Sequence, residues 1–174
     1  MQVELPQPAA AALEHSAALV RHIRAELEAA GGWLSFADYM RLALYTPGLG
    51  YYSAGARKLG ADGDFVTAPE ISPLFARCLA TQCAEVLGEL NGGAVLEAGA
   101  GTGAMAADLL LELEQLGALP DQYLILEPSA DLRERQRTLL AERVPHLTDR
   151  LQWLETGPPE PITGVVLGNE VLDA

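Results

Sequence analysis

The spacing of apolar and polar positions changes character along the chain. The first part repeats apolar residues at helical spacing, whereas the part after residue 93 alternates short apolar runs with helical stretches. The predicted strands are residues 94–97, 122–127, 150–154 and 164–168. The predicted helices are residues 9–30, a shorter one beginning at Ser35, 72–90, 104–116 and 129–143. Alternating strands and helices predict an α/β fold whose parallel strands are joined by right-handed crossovers.

Two regions follow from this pattern. Residues 1–71 are predicted to form an N-terminal helical segment and a functional loop, and residues 72–174 the α/β domain. In the second helix, Phe36, Tyr39, Met40 and Leu44 are expected on the buried face. No period is sustained over residues 49–71, and a loop of that length in a compact domain is usually functional or mobile.

The candidate chemistry lies at the end of the first predicted strand. An apolar run ends at Glu97, and Gly99, Gly101 and Gly103 follow at a spacing of two before a helical pattern opens. Glycine permits a sharp turn at positive φ and lets a ligand approach the backbone closely. The N–H groups at the start of the next helix would face such a ligand. A strand, a glycine turn and a helix together predict a nucleotide-type site, with a ligand-free glycine turn as the alternative.

The acidic residues around this turn restrict the chemical class of ligand that it can bind. Glu97 would repel a pyrophosphate but suits a ligand with an ammonium or a sulfonium. Glu127 ends the next strand, where a carboxylate can accept both hydroxyls of a ribose. This combination resembles the S-adenosylmethionine site of class I methyltransferases. As alternatives, Glu97 could cap the next helix and Glu127 could be a solvated strand end. A nucleotide-binding oxidoreductase is disfavoured by the acid before the glycines.

Charge and composition restrict the partners. The chain has 174 residues and a formal net charge of −13, which falls entirely on residues 61–174, with nineteen acids against six bases. That half should repel nucleic acid and accommodate a cationic protein segment, although solubility alone also explains the charge. With 49% apolar residues a core is expected, and no apolar run is long enough to be inserted in a membrane.

The cysteines and histidines show no metal-ligand spacing. Cys78 and Cys83 lie within one predicted helix, and the three histidines are scattered. We therefore expect reduced thiols, no metal and, since the N-terminus lacks the features of a presequence, a cytoplasmic location.

Three further segments carry a family resemblance. They are residues 39–45 (YMRLALY) with 50–52 (GYY), residues 63–72 (GDFVTAPEIS) and residues 168–174 (GNEVLDA). In this order around the glycine turn, they resemble the MidA-like family of methyltransferases, whose mitochondrial members act in respiratory complex I assembly. The resemblance covers about residues 33–174, and the second segment is its most specific part.

The resemblance implies a class I methyltransferase, a Rossmann-like parallel sheet of seven strands preceded by an N-terminal helical segment. Only about four strands are predicted here, so the chain is expected to be the N-terminal part of a longer enzyme. Its fourth strand, residues 164–168, would then be an unpaired apolar edge. On that ground the 174-residue chain is expected to self-associate.

The resemblance also implies S-adenosylmethionine as cofactor and a protein arginine as acceptor. The cofactor-binding residues would be Glu97 near the ammonium, Glu127 on the ribose, Gly99, Gly101 and Gly103 in the loop, and Asn169. Glu170 is the first choice for contact with the acceptor guanidinium and Asp173 the second. Alternatively these acids only complement a helix dipole.

Three more residues in the loop and two residues of the third strand belong to this hypothesis. Thr67, Pro69 and Glu70 could fold over the cofactor as a lid. Trp153 and Leu154, at the end of the third strand, could flank the adenine, with an ordinary core tryptophan as the alternative. A non-catalytic module that docks a basic partner through the acidic half remains a rival to the enzyme.

Overall fold

The structure, a computed structural model, describes residues 7–54 and 66–171. The predicted acceptor residue Asp173 and residues 63–65 of the most specific family segment lie outside the described residues. The chain divides into two compact units, residues 1–55 and 56–174. The predicted boundary after residue 71 stays a prediction.

In its described part, residues 7–54, the first unit contains two helices. Helix α1 spans Ala10–Ala29 and helix α2 spans Phe36–Tyr45, close to the predicted bounds. The Ser35 side chain begins α2 by accepting a hydrogen bond from the Asp38 backbone N–H at 3.0 Å. The predicted buried face of α2 is wrong at Phe36 and Tyr39, which are 76% and 45% exposed, whereas Met40 and Leu44 are partly buried. The buried residue of this helix is Leu42, which is 7% exposed.

The second unit has the expected alternation of strands and helices. Its elements are α3 (Ala68–Ile71), α4 (Leu74–Leu90), β1 (Ala94–Ala98), α5 (Ala104–Gln115), β2 (Gln122–Leu126), α6 (Ala130–Arg143), a 3-10 turn (Pro145–Arg150), β3 (Leu151–Leu154) and β4 (Gly164–Gly168). The short α3 and the 3-10 turn were absent from the predicted elements. The predicted N-cap Ser72 precedes α4 by two residues and still accepts a hydrogen bond from the Leu74 N–H at 3.2 Å.

The four strands form one parallel sheet in the order β3-β2-β1-β4. Ala98 at the end of β1 is level with Leu126 of β2 and Gly168 of β4. The carboxyl ends of these three strands therefore meet at one edge of the sheet. The order reverses at β1, and ligands of open α/β sheets bind at such a switch point.

The core lies between the sheet and helices α4, α5 and α6. Val95, Tyr123 and Ile125 point from the sheet into this core and are completely buried. Leu109 and Leu113 of α5 are also completely buried in this core. They anchor the helix that begins directly after the glycine turn. No helix among the described residues is long and apolar enough to cross a membrane.

Candidate functional site

The glycine turn follows β1 directly and has positive φ at each predicted glycine. The φ values are +64° at Gly99, +58° at Gly101 and +91° at Gly103. A Cβ at Gly99 would lie 3.1 Å from the Val171 side chain, and one at Gly103 would lie 3.5 Å from Cα of Gln136. The turn therefore packs against the segment after β4 on one side and against α6 on the other.

The turn is also held by the segment predicted as a lid. The Thr102 hydroxyl donates a hydrogen bond to the Glu70 carboxylate in α3. Thr102 Oγ1 in turn accepts from the Ala104 N–H at 3.3 Å, at the start of α5. Glu70 thus lies beside the glycine turn, while closure of this segment over a cofactor stays a prediction.

Glu97 is buried within the sheet face that packs on the core. Its side chain is 1% exposed, and its Oε2 accepts a hydrogen bond from the Tyr123 hydroxyl at 2.6 Å. Burial raises the pKa of Glu97 to about 7, an effect that the Tyr123 hydrogen bond partly offsets. Burial and the adjacent Glu97 also raise the pKa of Tyr123 well above its usual value. The partner of Glu97 is therefore a side chain of β2, which the sequence analysis missed.

Glu127 is an oriented, buried carboxylate. It is 3% exposed, which excludes the alternative of a solvated strand end. Its Oε1 accepts from the Ser129 N–H at 2.9 Å, and its Oε2 accepts from the Gln136 side-chain amide at 3.3 Å. Burial raises the pKa of Glu127, opposed by the Ser129 N–H, the Gln136 amide and the Arg133 charge. Each oxygen keeps a lone pair for a hydroxyl donor, as two ribose hydroxyls require.

Gln136 of α6 is a site residue that the sequence analysis did not identify. It is completely buried, and its Nε2 also donates to the carbonyl oxygen of Gly101 at 2.9 Å. Its Oε1 accepts from the indole N–H of Trp153 at 3.0 Å. A signal was present, because Gln136 occupies the buried stripe of α6 between Leu132 and Leu140, where an apolar residue is usual.

Trp153 lies near the end of β3, beside Gln136. Its side chain is partly buried, and the guanidinium of Arg137 lies 5.0 Å from the ring centroid. The ring is therefore neither fully enclosed in the core nor fully exposed. Its contact with an adenine stays a prediction.

The segment after β4 holds the remaining predicted residues. Asn169 is partly buried, and Glu170 is exposed with φ +51°, a conformation that is uncommon outside glycine. Val171 contacts the Gly99 position, so this segment borders the glycine turn. Strained backbone of this kind concentrates at functional sites. The structure thus brings Glu97, the glycines, Glu127, Asn169 and Glu170 to one edge of the sheet.

Within residues 7–54 and 66–171, no group of three or more His, Cys, Asp or Glu side chains is placed to hold a metal ion. Cys83 is buried and Cys78 exposed, and neither forms a disulfide.

A protein-family model matches residues 78–174, and its description is "Putative S-adenosyl-L-methionine-dependent methyltransferase". Mouse "Protein arginine methyltransferase NDUFAF7, mitochondrial" is 33% identical over 73% of this chain and 30% of its own length. The zebrafish protein of the same name is 38% identical over 56% of this chain and 24% of its own length. The chain thus spans under a third of the length of these relatives.

Solved structures cover more of the chain. A COG1565 superfamily member from Burkholderia thailandensis, bound to S-adenosyl-homocysteine, is 48% identical over 97% of this chain with a TM-score of 0.83. A second structure of that superfamily from the same organism is 47% identical with a TM-score of 0.78. This chain covers 44% and 42% of those two chains.

Proposed function

We propose that this chain forms the cofactor-binding part of a protein methyltransferase. The premise is that it belongs to the S-adenosyl-L-methionine-dependent methyltransferase family whose model it matches. The observation that carries the proposal is the Glu127 carboxylate, buried beside the glycine turn with one N–H donor on each oxygen. The S-adenosyl-homocysteine bound to the 48% identical neighbour supports this choice of ligand.

Each predicted cofactor residue has a place in this proposal. Glu127 accepts the ribose hydroxyls, and the glycine turn adjoins the methionine portion. The Glu97 carboxyl group faces the ammonium from behind the turn, and this cation favours the charged form that burial alone disfavours. Asn169 contacts the cofactor from the end of β4. When bound, S-adenosylmethionine supplies a methyl group on a sulfonium that is already a good leaving group. The protein mainly aligns donor and acceptor, which is worth up to roughly 7–11 kcal/mol.

The proposed acceptor is a protein arginine. The relatives are named protein arginine methyltransferases, and residues 61–174 carry the whole net charge of −13, which attracts a cationic segment. Glu170 would pair with the guanidinium and accept its proton as the nitrogen is methylated, with Asp173 as the second candidate. The link to respiratory complex assembly is proposed from the family resemblance alone, and the cytoplasmic location stays a prediction.

Calorimetry on the intact protein tests this function against its rivals. The titrants are S-adenosylmethionine, S-adenosylhomocysteine and NAD. Binding of the first two without NAD supports the methyltransferase. Binding of NAD alone would favour an oxidoreductase, and binding of none would favour a docking module.

Glu127→Ala is expected to weaken S-adenosylhomocysteine binding by a few kcal/mol at most. Two hydrogen bonds to a charged group are lost, each worth ~1.5–3 kcal/mol. The matched control is Glu134→Ala, which removes a carboxylate of α6 whose side chain is 75% exposed. Titration calorimetry measures both, with circular dichroism to verify folding. Parental affinity in a folded Glu127→Ala variant would remove Glu127 from the ribose site.

The 174-residue chain by itself is expected to self-associate through β4. This strand is at an edge of the described sheet, and its central Val166 is 65% exposed. An apolar edge strand offers unpaired backbone groups to another chain. Light scattering should therefore show an oligomer that Val166→Lys disrupts. Gln152→Lys, on the opposite edge strand β3, is the control and should leave the oligomer intact. A monomeric parent chain would contradict the prediction.

A further inference from the structure

We propose that Gln136 is a positioning residue that fixes the Glu127 carboxylate, the glycine turn and Trp153 in the arrangement that recognises ribose hydroxyls. The inference rests on the proposed cofactor site and adds to it the residue that makes the site selective for a nucleoside with an intact ribose. Gln136 acts through Glu127 and is not assigned a contact with the cofactor.

Every polar atom of the Gln136 side chain has a partner at the site. Nε2 donates to the Gly101 carbonyl at 2.9 Å and to Glu127 Oε2 at 3.3 Å, and Oε1 accepts from Trp153 at 3.0 Å. Only a primary amide offers two donors and an acceptor in one planar group. A glutamate would lack both donors, and an apolar side chain would lack all three bonds.

The Gln136 amide lies where packing would favour an apolar side chain. Gln136 is completely buried in the stripe that Leu132 and Leu140 form on α6. A buried amide without partners is costly, so packing alone favours an apolar residue at this position. The amide is instead saturated by three groups that come from the glycine turn, the end of β2 and the end of β3. Its position therefore serves the edge of the sheet rather than the core.

The Gln136 amide also orients the Glu127 carboxylate. Oε1 of this carboxylate is held by the Ser129 N–H of its own turn, whereas Oε2 is held by Gln136 from α6. Without the second bond only Oε1 is still held, by the Ser129 N–H, so the carboxylate can turn about that bond and Oε2 no longer points in a fixed direction. Hydroxyl recognition then weakens although the carboxylate is still present.

The test compares adenosine with 2′,3′-dideoxyadenosine, which lacks both ribose hydroxyls. The intact parent protein should prefer adenosine and bind S-adenosylhomocysteine. Gln136→Met keeps the side-chain volume and removes all three hydrogen bonds. It is expected to lower adenosine and S-adenosylhomocysteine affinity by about 10- to 100-fold, the size of one hydrogen bond to a charged group. Dideoxyadenosine affinity should change little, so the preference for adenosine collapses.

Leu140→Ala is the matched control for a purely structural effect. Leu140 is also completely buried, one turn further along α6. Its truncation should lower the melting temperature through a cavity but leave the ratio of adenosine to dideoxyadenosine affinity at the parental value. If Gln136→Met does not fold, Gln136→Leu gives the same comparison, because it also removes all three hydrogen bonds and matches the apolar neighbours Leu132 and Leu140.

The possible results distinguish a failure of the role inferred for Gln136 from a failure of the proposed methyltransferase function. A collapsed ratio in the Gln136 variant with a parental ratio in Leu140→Ala supports the inference. A parent that binds S-adenosylhomocysteine and prefers adenosine, with the same preference in the Gln136 variant, overturns the inference and leaves the function standing. A parent that binds neither ligand overturns both.

Discussion

Gly101→Val is expected to abolish measurable binding of S-adenosylhomocysteine. Gly101 has φ +58°, a left-handed conformation that costs an ordinary residue roughly 1–2 kcal/mol and a β-branched one more. The turn cannot relax easily, because the Gly101 carbonyl is held by Gln136. The valine must therefore distort the turn or place its branches where the ligand approaches. Calorimetry at the highest attainable ligand concentration measures the loss.

Gly117→Val separates this effect from backbone strain. Gly117 has φ +67° at the far end of α5, and an added Cβ there would meet nothing within 4 Å. Both variants should lose similar stability in thermal unfolding, but Gly117→Val should keep parental affinity. If folded Gly101→Val binds S-adenosylhomocysteine like the parent, the glycine turn is not the cofactor site.

Glu170→Gln is expected to lower the methylation rate of an arginine-containing acceptor by orders of magnitude. Proton acceptance and orientation by a positioned carboxylate contribute about 10²- to 10⁴-fold to a rate. The exposed Glu170 side chain follows β4, next to the segment that contacts Gly99. Because the amide keeps the size of the side chain, cofactor affinity should be preserved while turnover falls. Single-turnover kinetics on the intact enzyme with labelled S-adenosylmethionine measure this.

Glu160→Gln is the control for charge alone. Glu160 is an exposed acid in the loop before β4, and its neutralisation changes the net charge by the same amount. Its turnover should equal that of the parent. Unchanged turnover in Glu170→Gln would remove Glu170 from the proposed role and leave Asp173 as the candidate.

The strands, the longer helices and two helix caps depend mainly on residues that are neighbours in the chain, so the sequence by itself determined them. The period of apolar residues placed all four strands and the longer helices, since each period reflects the geometry of a single element. The side chain of Ser35 caps α2, and that of Ser129 caps α6 by accepting from the Leu132 N–H at 3.2 Å. The class I methyltransferase fold and the MidA-like family that the sequence indicated are both confirmed.

Tertiary structure alone decided the hydrogen-bond partners of the site and which face of a helix is buried. Glu97 bonds to Tyr123 because the register of β1 and β2 sets both on the core face of the sheet. Gln136 reaches Gly101 because α6 packs against the glycine turn, where Gly103 leaves room. In α2 the apolar pattern favoured Phe36, yet Leu42 is the buried residue. A sequence specifies the residue types and local geometry, but which distant groups meet depends on register and packing between elements.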